Sequence, residues 1–116
     1  MVNYQWDMFW ADLDPSRGSE QAGRRPVLAI SAEEVNQALP IVTVLSITSV
    51  KPGRKVYPTE TLLEASITGL PKDSIAMAHQ IRAISKERIG EKCGSMEDEA
   101  MREKVKATIM MYLDIW

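Results

Sequence analysis

Residues 41–47, Ile-Val-Thr-Val-Leu-Ser-Ile, limit what this chain can become more than any other stretch. They are dense in β-branched side chains, they follow Pro40, and the run is too short for an ordinary helix, so a buried strand fits best. The segments before and after have the same character. Residues 2–13 carry Tyr4, Trp6, Met8, Phe9, Trp10 and Leu13, an aromatic-rich first strand that Asp14-Pro15 ends. A loop over 14–24 with Pro15, Gly18 and Gly23 leads to a second strand at 26–31, where proline is tolerated in first position. Residues 31–39 read as a short helical or turn excursion.

Past residue 47, Lys51-Pro52-Gly53 opens a second loop and Pro58 closes it ahead of a weaker strand at 59–63. Gly69 to Asp73 form another turn. Residues 74–77 and 79–84 read as two short strands or one bent one, followed by a turn of helix at 85–89. Only the last segment changes period. Ser95 follows Gly94 as an N-cap, and Glu97, Asp98 and Glu99 set negative charge at the positive end of a helix dipole. Met101, Val105, Ile109, Tyr112 or Leu113, and Trp116 recur every three or four residues, which gives one apolar face to lay on a sheet. Met101, Met110 and Met111 read as core filling. Several strands and then one helix give a mainly β (α+β) fold, a small antiparallel barrel or curled sheet with a C-terminal helix packed across it.

At 116 residues the chain is expected to be one domain, 1–116, able to bury a core without a structural metal. Cys93 is the only cysteine, which excludes an internal disulfide and suits a reducing compartment. The first residues place Asp7 and Asp12 within their apolar run and offer no basic leader, so a signal peptide is not expected. No run of about 18 apolar residues occurs, so a membrane span is not expected and the reading is cytoplasmic.

A net charge of −2 argues against a protein that coats nucleic acid by bulk attraction, yet the charge is uneven. Residues 1–16 hold three anions and no Lys or Arg, whereas 17–55 hold six cations against three anions. The basic residues thus concentrate in the two Gly- and Pro-punctuated loops, where a groove could attract phosphate; a surface fluctuation explains the same counts. Arg25 stands at the start of one strand and Thr48 at the end of the next. If these strands are antiparallel, guanidinium and hydroxyl converge at one end of the sheet. Arg25 remains protonated, so it cannot act as a base, but it can hold the non-bridging oxygens of a phosphorane, and Thr48 can donate one hydrogen bond to them. Equally, the Gly-rich stretch 18–27 can be a solvated hairpin and Thr48 an ordinary strand threonine.

The string Asp12-Leu13-Asp14-Pro15, then Gly18-Ser19-Glu20-Gln21, then Arg25-Pro26-Val27-Leu28, resembles the MazF/PemK (Kid) family of toxin endoribonucleases. Ile47-Thr48-Ser49, Asp73-Ser74 and Gln80-Ile81-Arg82 are similar to that family's later motifs, and the likeness extends over nearly the whole chain. Each motif is weak alone; in this order and spacing they are specific. The resemblance implies an SH3-like small β-barrel with a C-terminal helix, acting as a homodimer, that cuts single-stranded RNA without a cofactor or metal. It also implies a cognate antitoxin as partner. Arg25 and Thr48 become the catalytic pair. His79, the only histidine, stands where the family often has an acidic residue, and near its reference pKa of about 6.5 it could accept the 2′-hydroxyl proton. A lone strand histidine is more often structural, and Glu20 is the competing base. Ser19, Glu20, Gln21, Arg24, Lys55 and Gln80 carry over as RNA contacts, and Lys51, Arg54 and Tyr57 join Lys55 in a second wall of the groove.

Two positions depart from the family pattern. Trp6 stands where glycine is usual, and Ser85 where an acidic residue is common. A second reading keeps the same barrel but makes it a non-enzymatic, CcdB-like toxin that binds DNA gyrase through residues 112–116. That leaves Arg25 and Thr48 without a task. A third is an RNA-binding module with no turnover.

Overall fold

A computed structural model describes residues 2–115. Its strands are β1 (Asp7–Asp12), β2 (Arg24–Ala29), β3 (Ile41–Ser49), β4 (Glu60–Leu63), β5 (Ser74–Ser85) and β6 (Ile89–Ser95), and its helices α1 (Glu33–Ala38), α2 (Ala65–Thr68) and α3 (Glu99–Leu113). The strands form one antiparallel sheet in the order β4-β5-β3-β2-β1-β6. The mainly β architecture with a helix on the sheet is as expected; the barrel, however, is not closed by hydrogen bonds, since β4 and β6 remain its edges. The gap between them is filled by packing. A Cβ on Gly94 of β6 would lie 3.0 Å from the Thr68 carbonyl oxygen at the end of α2, 3.1 Å from the Met8 sulfur and 3.3 Å from Leu70, so glycine suits this close approach of β6 to α2.

The apolar run of β3 lacks polar alternation because both faces are covered. Leu45 and Ile47 join Met8, Leu28, Leu63, Met96, Met101 and Val105 in a core beneath α3. Val42 and Val44 face the other way, with Phe9, Leu13, Val27, Ala29 and Ile84.

Several boundaries differ from the sequence reading. The first strand begins at Asp7, because Trp6 adopts a left-handed φ of 69° that breaks the extended chain. Ser95 is no helix cap: it ends β6, and its hydroxyl donates to Asp7 (3.1 Å), while Asp98 caps α3 by accepting from the Met101 N–H (3.0 Å). Met101 and Val105 are buried and Ile109 packs beside them, but Met110, Met111, Tyr112 and Leu113 are exposed, so the two later methionines do not fill the core. Trp116 lies outside the described residues. Residues 74–85 form one bent strand, and the helical turn at 85–89 is a 3₁₀ turn over Lys86–Arg88, capped by Ser85. Neither β6 nor α2 was expected. No helix among the described residues is long and apolar enough to cross a membrane.

Candidate active site

The β2–β3 ladder pairs Ala29 with Val44, Leu28 with Leu45 and Val27 with Ser46, and then stops. Continuing its register two residues sets Arg25 across from Thr48 on the same face. Beyond the last pair β2 stays bonded to β1, with Arg25 opposite Ala11, and β3 stays bonded to β5, with Thr48 opposite Ile75. The sheet therefore splits between them. Arg25 stands on one lip of the split and Thr48 on the other, both partly exposed.

Arg25 donates from Nε to the Ala22 carbonyl (3.0 Å), which steadies the guanidinium against the β1–β2 loop. Its two terminal amino groups have no acceptor and no carboxylate partner among the described residues, and the Thr48 hydroxyl likewise has no partner there. Two donors from separate strands thus stand on the same face of the split between β2 and β3, an arrangement suited to holding an anion with developing charge.

The β1–β2 loop forms the wall of this cleft. Gln80 spans it: its Nε2 donates to the Ser19 carbonyl (2.9 Å) and its Oε1 accepts from the Gln21 N–H (3.2 Å). Both ends of the Gln80 amide are therefore occupied by loop backbone. The Gln21 Oε1 is covered and has no donor among the described residues, so an RNA contact from it requires the loop to move. Glu20 accepts from the backbone N–H of Arg17, which folds its carboxylate onto its own loop. Arg88 donates to the Asp12 and Asp14 carbonyls and Arg82 to that of Leu13, tying down the loop's first residues.

His79 has another neighbourhood. Between Val44–Arg82 and Ser46–Met77 the ladder of β3 and β5 shifts register, leaving four residues of β5, 78–81, opposite one of β3. In this bulge Gln80 reaches the β1–β2 loop, whereas the exposed His79 places Nδ1 3.0 Å from Thr59 Oγ1 at the start of β4. No hydrogen bond joins His79 to Arg25 or Thr48.

Sequence reasoning missed the best-tied group nearby. Glu60 is buried and bonds Arg54 through both oxygens (2.7 and 3.1 Å), and it also accepts from the Tyr57 N–H (3.0 Å). Burial raises the Glu60 pKa, but the Arg54 hydrogen bonds, the Tyr57 N–H and the nearby charges of Arg54 and His79 more than reverse this, holding it below the usual carboxylate value. Arg54 also donates to the Lys55 carbonyl and lies over the Tyr57 ring (5.5 Å). The β3–β4 loop is thus pinned at Glu60, with Lys55 exposed on it. Among the described residues no group of three or more His, Cys, Asp or Glu side chains could hold a metal ion.

Residues 4–113 match the family described as PemK-like, MazF-like toxin of type II toxin-antitoxin system. The chain belongs to that family. Among PemK/MazF relatives, it is 36% identical over 113 residues to endoribonuclease EndoA of Bacillus subtilis, covering 97% of this chain and 96% of the relative. The fold is shared with MazF from Deinococcus radiodurans, with a TM-score of 0.81 at 23% identity over 98% of each chain. It is also shared with an endoribonuclease solved in complex with its cognate antitoxin from a mycobacterial species, with a TM-score of 0.79 at 19% identity over 99% of this chain and 98% of that one.

Proposed function

We propose that this PemK/MazF-family chain is the toxin of a toxin–antitoxin pair and a sequence-selective endoribonuclease acting on single-stranded RNA. The observation that carries the reading is the pair formed by the free terminal amino groups of Arg25 and the Thr48 hydroxyl, which have no partner among the described residues and stand on opposite lips of the β2–β3 split. A ribose 2′-hydroxyl of the substrate attacks the adjacent phosphorus, the 5′-oxygen leaves, and the products are a 2′,3′-cyclic phosphate and a 5′-hydroxyl. Since the nucleophile is the substrate's own, the protein supplies position, charge and proton transfer. Arg25 holds the negative phosphorane and Thr48 donates to one of its oxygens. His79 or Glu20 takes the 2′-hydroxyl proton, and a proton returned from that group or from solvent completes the departing 5′-hydroxyl; the hydrogen bond between Thr59 and Nδ1 leaves His79 Nε2 free for that task.

Homodimerisation agrees with the exposed apolar end of α3, where Met110, Met111, Tyr112, Leu113 and Ile115 stand in solvent. A disordered, acidic or amphipathic antitoxin tail laid along the basic cleft is the partner this charge pattern suits. A cytoplasmic location goes with both. The gyrase-binding alternative is disfavoured, because it gives Arg25 and Thr48 nothing to do and the relatives are named endoribonucleases.

The test is incubation of mixed-sequence single-stranded RNA with the wild type and with R25A, T48A and H79N, all in EDTA. Wild type should cut and leave 3′ ends that resist alkaline phosphatase and ligation until the cyclic phosphate is opened by acid or by polynucleotide kinase. R25A should be slower by 10²-fold or more. If His79 is the base, H79N lowers kcat while RNA binding is kept. Uncut RNA together with inhibited gyrase would overturn the proposal.

A further inference from the structure

Two cavities adjoin the sheet, and their charges differ. The larger, about 540 Å³ between β4, α2 and α3, sets Glu60, Glu64 and Asp98 against Lys104, a lining that disfavours a polyanion. The smaller, about 350 Å³, lies in the split between β2 and β3. Strand alternation gives it Arg24 and Pro26 from β2, Ile47 and Ser49 from β3 and Trp10 from β1, on the face opposite Thr48, and Lys72 closes it from the turn before β5. Its lining holds three cations, Arg24, Arg25 and Lys72, and no carboxylate, in a chain of net charge −2. None of the three has an ion-pair partner among the described residues.

One wall is a ready stacking surface, since the Arg24 guanidinium lies 5.1 Å from the centre of the Trp10 ring. Unpaired bases are held by stacking on aromatic rings and arginine planes, with cations tracking the phosphates. Resting on the nuclease reading, we propose that this cavity seats one base of the RNA, that of a nucleotide adjoining the scissile phosphate. The base stacks on the Trp10–Arg24 wall, and Lys72 meets the flanking phosphate. Arg25 lines the cavity and, by the strand register, shares the other sheet face with Thr48, so a strand crossing the split between β2 and β3 can leave its phosphate at that pair and turn the neighbouring base to the cavity side. At about 350 Å³ the space is near the lower end of ligand sites, suited to a single base and not to a run of them. Sequence preference is then set partly here, and not only at the loop carrying Lys51, Arg54, Lys55 and Tyr57.

The experiment digests a random-sequence RNA pool with wild type, W10A, W10F and K72A and reads base frequencies around each cut. W10A should flatten the preference at one position beside the cut, hold the others, and weaken binding about tenfold. W10F should restore the preference, and K72A should raise KM more than it lowers kcat. Wild-type preference and KM in both W10A and K72A would overturn the proposal. Because W10A could fail to fold, a second measurement titrates the proteins with RNA carrying a 2′-deoxy group at the scissile nucleotide. Indole quenching in wild type that is missing in W10F supports the assignment, and equal quenching in both overturns it. If wild type cuts no RNA at all, the nuclease reading is what fails, and the titration still reports on the cavity.

Discussion

Trp6 concentrates a conflict in one residue. Its backbone N–H donates to the Ala29 carbonyl (2.8 Å) and its carbonyl accepts from the Met96 N–H (2.8 Å), so the turn before β1 is bonded to the end of β2 and to the residue after β6. Its φ of 69° belongs to glycine, the residue that the family resemblance leads one to expect. The left-handed backbone costs about 1–2 kcal/mol for a side chain of this kind. Against that, the indole is only 9% exposed, packs in the core under α3, and has Arg102 and Lys106 5.5 and 5.9 Å from its ring centre. Truncating a buried Trp costs about 3–5 kcal/mol. Packing therefore wins, and Trp6→Gly should lower stability by about 2 kcal/mol despite its easier backbone, as a urea melt would read. The outcome tells whether the helix is held to the sheet by this side chain or by Met101 and Val105 alone.

Between elements, the decisive tie is Gln80. It joins β5 to the β1–β2 loop across 59 and 61 residues of sequence, and the next link in that loop is the Ala22 carbonyl that Arg25 holds. On the proposed reading Gln80 acts through the loop, as a positioning residue. Gln80→Ala should lower kcat by about tenfold or more with a smaller change in KM, since the loss falls on Arg25's orientation. Amide exchange should quicken over 17–23 while the core strands keep their protection. Equal kcat in the variant would remove Gln80 from the catalytic argument. This tie was not legible in the sequence, because a contact of that span leaves no local pattern. What was legible followed from local chemistry. The β-branched run of β3 and Pro40 before it mark the strand, and placing Arg25 and Thr48 at the same end of the sheet needed only that β2 and β3 run antiparallel. The strand β6 was missed because Ile89-Gly-Glu-Lys-Cys-Gly-Ser has few strand formers; its Gly94 answers to a contact with α2 instead of to strand preference. The four-residue α2 is too short to show a period.

For the molecule as a whole, acid sensitivity follows from the Glu60–Arg54 tie. A carboxyl whose folded pKa is depressed stabilises the fold fully above its unfolded value, about 4.3, and stops doing so as pH falls through the folded value. Glu33 adds in the same sense: burial raises its pKa, and bonds from the Gln5 and Tyr4 N–H groups and from Gln37 and Asn36 lower it overall. Wild type should therefore lose urea resistance below about pH 4. Glu60→Gln should start from a lower midpoint at pH 7, and the two curves should draw together as pH falls through the depressed Glu60 pKa; parallel curves would show that the tie is worth nothing to folding.

The contact of Gly94 with Thr68 and Leu70 reaches beyond its own neighbourhood. A sheet that curls without bonding its first edge strand to its last leaves the approach of β6 to α2 held by side chains, which makes that approach a line of low resistance. Parting there sacrifices side-chain contacts and no backbone ladder, so stress on the wrap should be relieved at this seam before it disturbs the split that carries Arg25 and Thr48.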